Sequence, residues 1–338
     1  MGLAEVRYTV FMKHRNFGTP GQPVSEVGLG CWQFGGDFGP MSDAQALAIM
    51  SAAVDCGVDF FDTADVYGGG RSESLIGQFL ATHTGNPIRV VTKFGRDGSV
   101  FPDNYTEAAM RTAVQVACQR LGVAALDCLQ LHCIPIDELR KGDVFDWLRS
   151  LKTAGAIREF GASVESVEEG LLCLGQDGLV SLQVIFNLFR QKLVTELFPQ
   201  AQAAGVNIIV RLPLASGLLS GKFTRQTTFT AGDHRSYNCD GQAFNVGETF
   251  AGLPFETGVE LANEIRVLLP QNMTMAQAAL RWILDHDAVT TIIPGASSPE
   301  QVTNNAAVSD LPRLSNELHN RLSEFYQSKV VQHVRGPY

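Results

Sequence analysis

The sequence contains no run of the ~20 consecutive apolar residues that a membrane-spanning helix requires, so no membrane association is expected. Its seven cysteines, Cys31, Cys56, Cys118, Cys128, Cys133, Cys173 and Cys239, are scattered, odd in number and never spaced Cys-x-x-Cys. That distribution argues against a disulfide framework and against a zinc site. Positive charge is in short supply: 26 Lys and Arg against 35 Asp and Glu leave a formal net charge of −9. Phosphate-backbone binding needs a cationic surface, so no nucleic-acid partner is expected, although a local pocket for one small anion stays compatible with this balance. Residues 1–8 lack the charged and apolar regions of a secretory signal, and a reduced, cytoplasmic setting is expected. Gly28 and Gly30 begin a Gly-x-Gly turn, but Gln33 stands where the third glycine of a dinucleotide-binding fingerprint belongs. The turn that opens a doubly wound sheet is therefore missing.

What the chain does have is alternation. Ser42-Asp43-Ala44-Gln45 reads as a capping box; Ala46, Ile49, Met50, Ala53 and Val54 follow at helical spacing, with Gly57 suited to the helix end. A second helix places Met110, Ala113, Val114, Ala117, Cys118 and Leu121 on one face and stops at Gly122. Between such helices lie eight strand candidates: residues 26–31, 58–62, 89–93, 127–132, 157–163, 181–186, 206–211 and 289–293. Alternating β and α elements imply a parallel sheet, and eight units in 338 residues fit a (β/α)8 TIM barrel. Residues 13–17 and 24–27, around Gly18-Thr19-Pro20-Gly21, read as an N-terminal hairpin at the barrel floor. One domain is expected over residues 12–328, with an extension at 1–11 and a partly mobile tail that includes 329–338. Residues 224–255 are polar, rich in Gly, Thr and Asn and without helical period, as functional lids or disordered loops are.

The chemistry-bearing residues close or follow strands. Phe60-Phe61-Asp62 runs into Thr63-Ala64-Asp65-Val66-Tyr67 and three glycines, Val90-Val91-Thr92 ends on Lys93, and Leu129-Gln130-Leu131 ends on His132. At the carboxyl ends of parallel strands, Asp, Tyr, Lys and His converge on the catalytic face of a barrel. Singly, each has an ordinary structural role: a cap, an edge aromatic, a snorkelling lysine, a buried histidine. Together they suit acid–base catalysis. Cys133 follows His132 and, in a continuing strand, would point away from it as a small hydrophobe.

These motifs, with residues 28–32, 155–163, 212–222 and 293–296, resemble the aldo-keto reductase superfamily, in order, over about residues 12–328. The nearest subgroups are the bacterial general-stress-type reductases and the potassium-channel β-subunits. The resemblance implies an NAD(P)H-dependent oxidoreductase that reduces aldehydes and ketones to alcohols without a metal, with Asp62, Tyr67, Lys93 and His132 catalytic. Tyr67 would be the proton donor, and an ammonium from Lys93, itself held by Asp62, would lower the phenol from its usual pKa of ~10. Ser163 and Gln183 match residues that hold the nicotinamide carboxamide, although Val164 replaces a frequent asparagine, and Arg211 stands where some members stack a tyrosine. Leu214, Ser216, Gly217, Leu218, Ser220 and Lys222 resemble the segment over the pyrophosphate. Gly295, Ser297, Gln301, Asn304 and Asn305 resemble the adenosine site, and none of the cations that pair with a 2′-phosphate stands at positions 295, 297 or 301. NADP(H) follows from the resemblance, while those missing cations leave NAD(H) open. Trp32, Phe34 and Phe94 are the expected substrate walls. Partners would be a small carbonyl, sugar or polyol, with oligomeric state open. The alternatives are an NAD-dependent sugar or polyol dehydrogenase, or a nucleotide-sensing regulatory subunit similar to channel β-subunits, which keep the same catalytic residues.

Overall fold

Side chains alternate across a strand, and in this chain that alternation sorts the inward-facing residues into two layers, apolar below and polar above. The structure, a computed structural model, describes residues 11–18 and 22–338. Most of the expected extension and the turn residues 19–21 lie outside the described residues. Strands β1 (His14–Asn16) and β2 (Pro23–Ser25) form the antiparallel hairpin. Eight parallel strands follow: β3 (Leu29–Gly30), β4 (Phe60–Asp62), β5 (Arg89–Phe94), β6 (Leu126–His132), β7 (Ile157–Ser163), β8 (Leu179–Ile185), β9 (Asn207–Arg211) and β10 (Val289–Ile292). Each pairs with its sequence neighbour. Bridges from Val27 to Ile292 and from Gly30 to Gly295 close the first strand on the last. At this seam Gly28 N donates to the Ile292 carbonyl at 2.7 Å and Ile292 N to the Glu26 carbonyl at 3.0 Å. The expected eight-stranded barrel is the fold.

Phe17, Val24, Phe60, Val91, Cys128, Ile209 and Ile293 form an apolar cluster of their own inside the barrel. Phe17, from the hairpin, plugs the floor edge-to-face against Phe60, with centroids 5.4 Å apart. Two residues further along the same strands come Asp62, Lys93 and Gln130, so the period that buries the floor also lifts the polar side chains to the top. The outward residues Phe61, Val90, Leu129, Leu131 and Phe160 pack into the larger core beneath the helices.

The helix Asp43–Asp55 starts as expected, with Ser42 Oγ accepting from Gln45 N at 3.2 Å. Its capping box is only half formed, because the Gln45 amide instead donates to the Ser297 carbonyl at 2.6 Å. Residues 224–255 form a packed lid rather than a disordered loop. Asp233 caps the short helix His234–Tyr237, and His234 N donates to the Asp37 carbonyl at 2.8 Å. The tail is also tied down. Arg335 Nε donates to the Gly252 carbonyl at 2.8 Å, Lys192 N donates to Tyr338 Oη at 2.9 Å, and the Arg190 guanidinium lies 4.1 Å from the Tyr338 ring centre. The aromatic contact and these bonds hold the chain end against the barrel, where its terminal position suggested partial mobility. No helix among the described residues is long and apolar enough to cross a membrane.

An ion network locks the floor. Glu26, 1% exposed, accepts from Arg15 Nε and Nη2 at 2.9 and 2.6 Å and from Ser309 Oγ at 2.9 Å, with Arg281 3.6 Å away. Removing one member of a buried network strands the charges left behind. Glu26→Ala is expected to lower unfolding stability by about 3–5 kcal/mol, measured by urea denaturation; a loss under about 1 kcal/mol would mean that the network does not brace the floor.

Candidate active site

Register brings the upper layer together. His132 on β6 pairs with Ser163 on β7, which pairs with Gln183 on β8, while Lys93 on β5 pairs with Gln130. Lys93 Nζ donates to Asp62 Oδ2 at 2.7 Å, to the Thr63 carbonyl at 2.7 Å and to Tyr67 Oη at 3.2 Å. These three acceptors match the three protons of an ammonium. Gln183 Nε2 bridges Asp62 Oδ1 at 2.6 Å and Gln130 Oε1 at 2.9 Å, and Gln130 Nε2 continues to Ser181 Oγ at 3.2 Å. Room for that last bond depends on Gly161, where a Cβ would stand 2.2 Å from Ser181 Oγ. Because Tyr67 oxygen accepts from Lys93, its own proton is left to be donated elsewhere, and Tyr67 lines the cleft. The His132 ring meets the Tyr67 ring edge-on at 6.0 Å, and Trp32 stacks on Tyr67 at the same separation.

The electrostatics depart from expectation at Tyr67. Burial pushes its phenol up to about 12, and the nearby Lys93 only partly offsets that rise. The lysine therefore limits the upward shift rather than producing a net downward one, since desolvation of a phenolate outweighs one ammonium already shared with Asp62. Burial also works against the Lys93 ammonium, yet Asp62 and Tyr67 outweigh it and raise its pKa. Burial, then Lys93, Arg96 and Arg211, drives His132 well below the ordinary histidine value. The imidazole is neutral, and its Nδ1 is buried without a hydrogen-bond partner.

Above this network a cleft of about 1150 Å³ runs from Trp32, Asp62, Tyr67 and His132 past Gln183 and Arg211 to Asn304 and Asn305. Leu214, Ser216, Gly217, Ser220, Lys222, Gly295, Ser297 and Gln301 also line it. The remaining expected site residues do not. Lys93 and Ser163 are 2% exposed and lie off the cleft lining. Phe34 and Phe94 belong to the outer core and are not substrate walls. Phe94 follows inward-facing Lys93, so alternation turns it outward onto Tyr105, while Phe34 is fully buried in the turn Trp32–Gly35. Leu218 likewise points into the core. The Ser216 hydroxyl is committed to the lid, donating to the Glu248 carbonyl and accepting from Phe250 N, both at 3.2 Å. Cys133 does not continue the strand as expected. Its φ of +48° turns it into the cleft wall, 3.4 Å from Ser163 Oγ and from Arg211 Nη2.

At the far end the Gly295–Ser297 loop is held by neutral amides. Ser297 N donates to Gln301 Oε1 at 2.8 Å, and Asn305 Nδ2 to the Gly295 carbonyl at 3.5 Å. A Cβ at Gly295 would collide with the Gln33 side chain, so the residue that interrupts the glycine fingerprint fills the space beside Gly295. Sequence reasoning missed Gln130, although it faces inward two residues before His132 on the same strand. It named Arg211 only for the cofactor and missed the largely buried charge cluster around it on the cleft wall: Arg96 pairs with Glu165 at 2.7 Å and with Glu248 at 2.9 Å, and Arg211 lies 3.5 Å from Glu248. These residues come from three loops and a strand end, and no periodic signal links them.

The family model described as "Aldo/keto reductase family" matches residues 26–327. The NADH-specific methylglyoxal reductase of Escherichia coli is 27% identical, across 89% of this chain and 94% of its own length. A probable voltage-gated potassium channel subunit beta of Arabidopsis thaliana is 27% identical, across 94% of this chain and 98% of its own. The solved glycerol dehydrogenase AKR11B4 from Gluconobacter oxydans superposes with a TM-score of 0.76 at 28% identity, covering 96% of this chain and 97% of that one. The chain belongs to the aldo/keto reductase family.

The buried Lys93–Asp62 pair yields a prediction of its own. Asp62→Ala leaves an uncompensated ammonium and is expected to lose about 3–5 kcal/mol of stability. Lys93→Met combined with a nonpolar residue at Asp62 is expected to lose less than the two single changes summed, a positive coupling read from a denaturant double-mutant cycle. Strict additivity would show that the pair is not coupled.

Proposed function

We propose that this family member is an NAD(P)H-dependent reductase of small aldehydes and ketones, with Tyr67 as proton donor. The supporting observation is the single ammonium that contacts both Asp62 and Tyr67, beside a neutral His132, beneath a cleft of about 1150 Å³. The cleft fits a dinucleotide. His132 presents a buried nitrogen without a partner near the reacting end, and Gly217, with φ +100°, keeps side-chain bulk out of the middle. Bound there, a nicotinamide dinucleotide supplies the hydride.

The remaining chemistry belongs to the chain. Tyr67 gives its proton to the carbonyl oxygen as negative charge grows on it. Lys93 stays charged and stabilises the phenolate that results. Asp62, fixed by Gln183, keeps the lysine in place. His132, neutral, donates one N–H to orient the same oxygen. In reverse, Tyr67 phenolate accepts a proton from an alcohol, so a polyol dehydrogenase would use the same residues. The names of the E. coli and Gluconobacter relatives favour small, hydroxylated or dicarbonyl compounds as substrates.

For the nucleotide, the neutral amides at Gly295, Ser297 and Gln301 support acceptance of NADH as well as NADPH. A charge-assisted hydrogen bond to the 2′-phosphate is worth ~1.5–3 kcal/mol, and this loop offers none. Quenching of tryptophan fluorescence is expected to give Kd values for NADPH and NADH within about tenfold of each other. A ratio beyond about 100-fold would show that a cation elsewhere, Lys222 first, reads the phosphate; Lys222→Met then tests that residue. Tyr67→Phe is expected to lower kcat about 10²–10⁴-fold while nucleotide binding persists. Undiminished carbonyl reduction by that variant would sink the mechanism.

A further inference from the structure

We propose that Glu248, carried on the lid, is a built-in carboxylate filling an anion subsite made by Arg96 and Arg211, so that the cleft accepts uncharged carbonyl compounds and turns away carboxylated ones. This rests on the reductase reading above and specifies its substrate class. Arg96 lies three residues beyond Lys93, and Arg211 closes β9; both line the cleft with His132, and Arg211 Nη2 lies 3.4 Å from Cys133 Sγ, the residue after His132. They therefore stand at the substrate end. Two arginines there would ordinarily recruit an acidic substrate, since a guanidinium fork binds carboxylate bidentately.

The lid occupies that position first. Arg96 Nη1 lies 2.9 Å from Glu248 Oε1, and Arg211 Nη1 lies 3.5 Å from Glu248 Oε2. The Glu248 side chain is only 7% exposed. Its backbone is held as well: Asn245 caps the turn Val246–Glu248, and Ser216 Oγ donates to the Glu248 carbonyl. Although burial opposes it, Arg96 and Arg211 hold the Glu248 carboxyl below the usual carboxylate range. Glu165, on the other side of Arg96, adds a second carboxyl at 2.7 Å. A substrate carboxylate entering this wall would meet arginines already engaged and an anion in its way.

Glu248 fills the subsite without saturating it. Arg211 Nε is buried without a hydrogen-bond partner and Arg211 meets Glu248 only at 3.5 Å, so this guanidinium keeps bonding capacity that Glu248 does not use. An incoming carboxylate could bond these arginines better than Glu248 does, once Glu248 no longer competes. A bound metal does not explain the cluster. Cys133, Glu165 and Glu248 bring ligand atoms within 4.8 Å of one another, but guanidinium groups abut both carboxyls and would repel a cation.

The test compares 4-nitrobenzaldehyde with 4-carboxybenzaldehyde, which share a shape and differ in charge and in carbonyl reactivity, so the change in their ratio between wild type and variants reads the charge effect. Wild type is expected to favour the nitro compound by ~100-fold or more in kcat/KM. Glu248→Gln should narrow that ratio at least ~tenfold, chiefly through KM for the carboxylated aldehyde. Adding Arg96→Gln to Glu248→Gln should abolish the gain. Benzoate titrated against tryptophan fluorescence, with Trp32 in the cleft, should bind Glu248→Gln at least ~tenfold more tightly than wild type, and the double variant no better than wild type. Equal use of both aldehydes by wild type overturns the proposal. So does an equal effect of Glu248→Gln on both aldehydes, or a gain that survives loss of Arg96. If wild type reduces neither aldehyde with either nucleotide, the reductase reading fails, and the benzoate series still decides whether Glu248 blocks an anion subsite.

Discussion

Lys93 carries its charge in the middle of a barrel, 2% exposed, where an unpaired ammonium would cost several kcal/mol. The upper half of the molecule is arranged to meet that demand. Asp62 supplies the counter-charge, the Thr63 carbonyl and Tyr67 oxygen take the other two protons, and Gln183 and Gln130 carry the bonding to Ser181. Asp62, Thr63 and Tyr67 come from β4 and the segment after it, Gln130 from β6, and Gln183 and Ser181 from β8, so the closed sheet is what holds the cluster. The same bonds that stabilise the lysine leave Tyr67 with one proton to give, which connects barrel packing to the role proposed for Tyr67.

Burial sets the character of the site more than any single charge does. It raises the phenol of Tyr67 and keeps His132 neutral, so the resting site holds a protonated acid and an uncharged hydrogen-bond donor. Both suit carbonyl reduction, in which negative charge appears on oxygen only as the reaction proceeds. The lid, tied to the barrel through Asp37, Ser216 and the Glu248 cluster, contributes to that burial.

Much of this was legible from period and motif. Strand candidates at 157–163 and 289–293 coincide with or nearly match β7 and β10, and Asp62, Tyr67, Lys93 and His132 converge as expected. The departures have different origins. Phe94 was assigned to the pocket although alternation after Lys93 turns it outward, and Cys133 was assigned to the core because nothing local signals that the strand ends there with a positive φ. Tail order depends on Arg190 and Lys192 meeting Tyr338, residues far apart in sequence.

The sequence by itself determined the barrel and which strand ends carry Asp62, Tyr67, Lys93 and His132. Those follow from alternation, chain order and side-chain chemistry, all of which are local. Only the tertiary structure decided that burial outweighs Lys93 at Tyr67, that Gln33 fills the space at Gly295, and that Glu248 reaches the two arginines. Desolvation and long-range ion pairing depend on what the closed barrel and its lid bring together in space, which no stretch of neighbouring residues encodes.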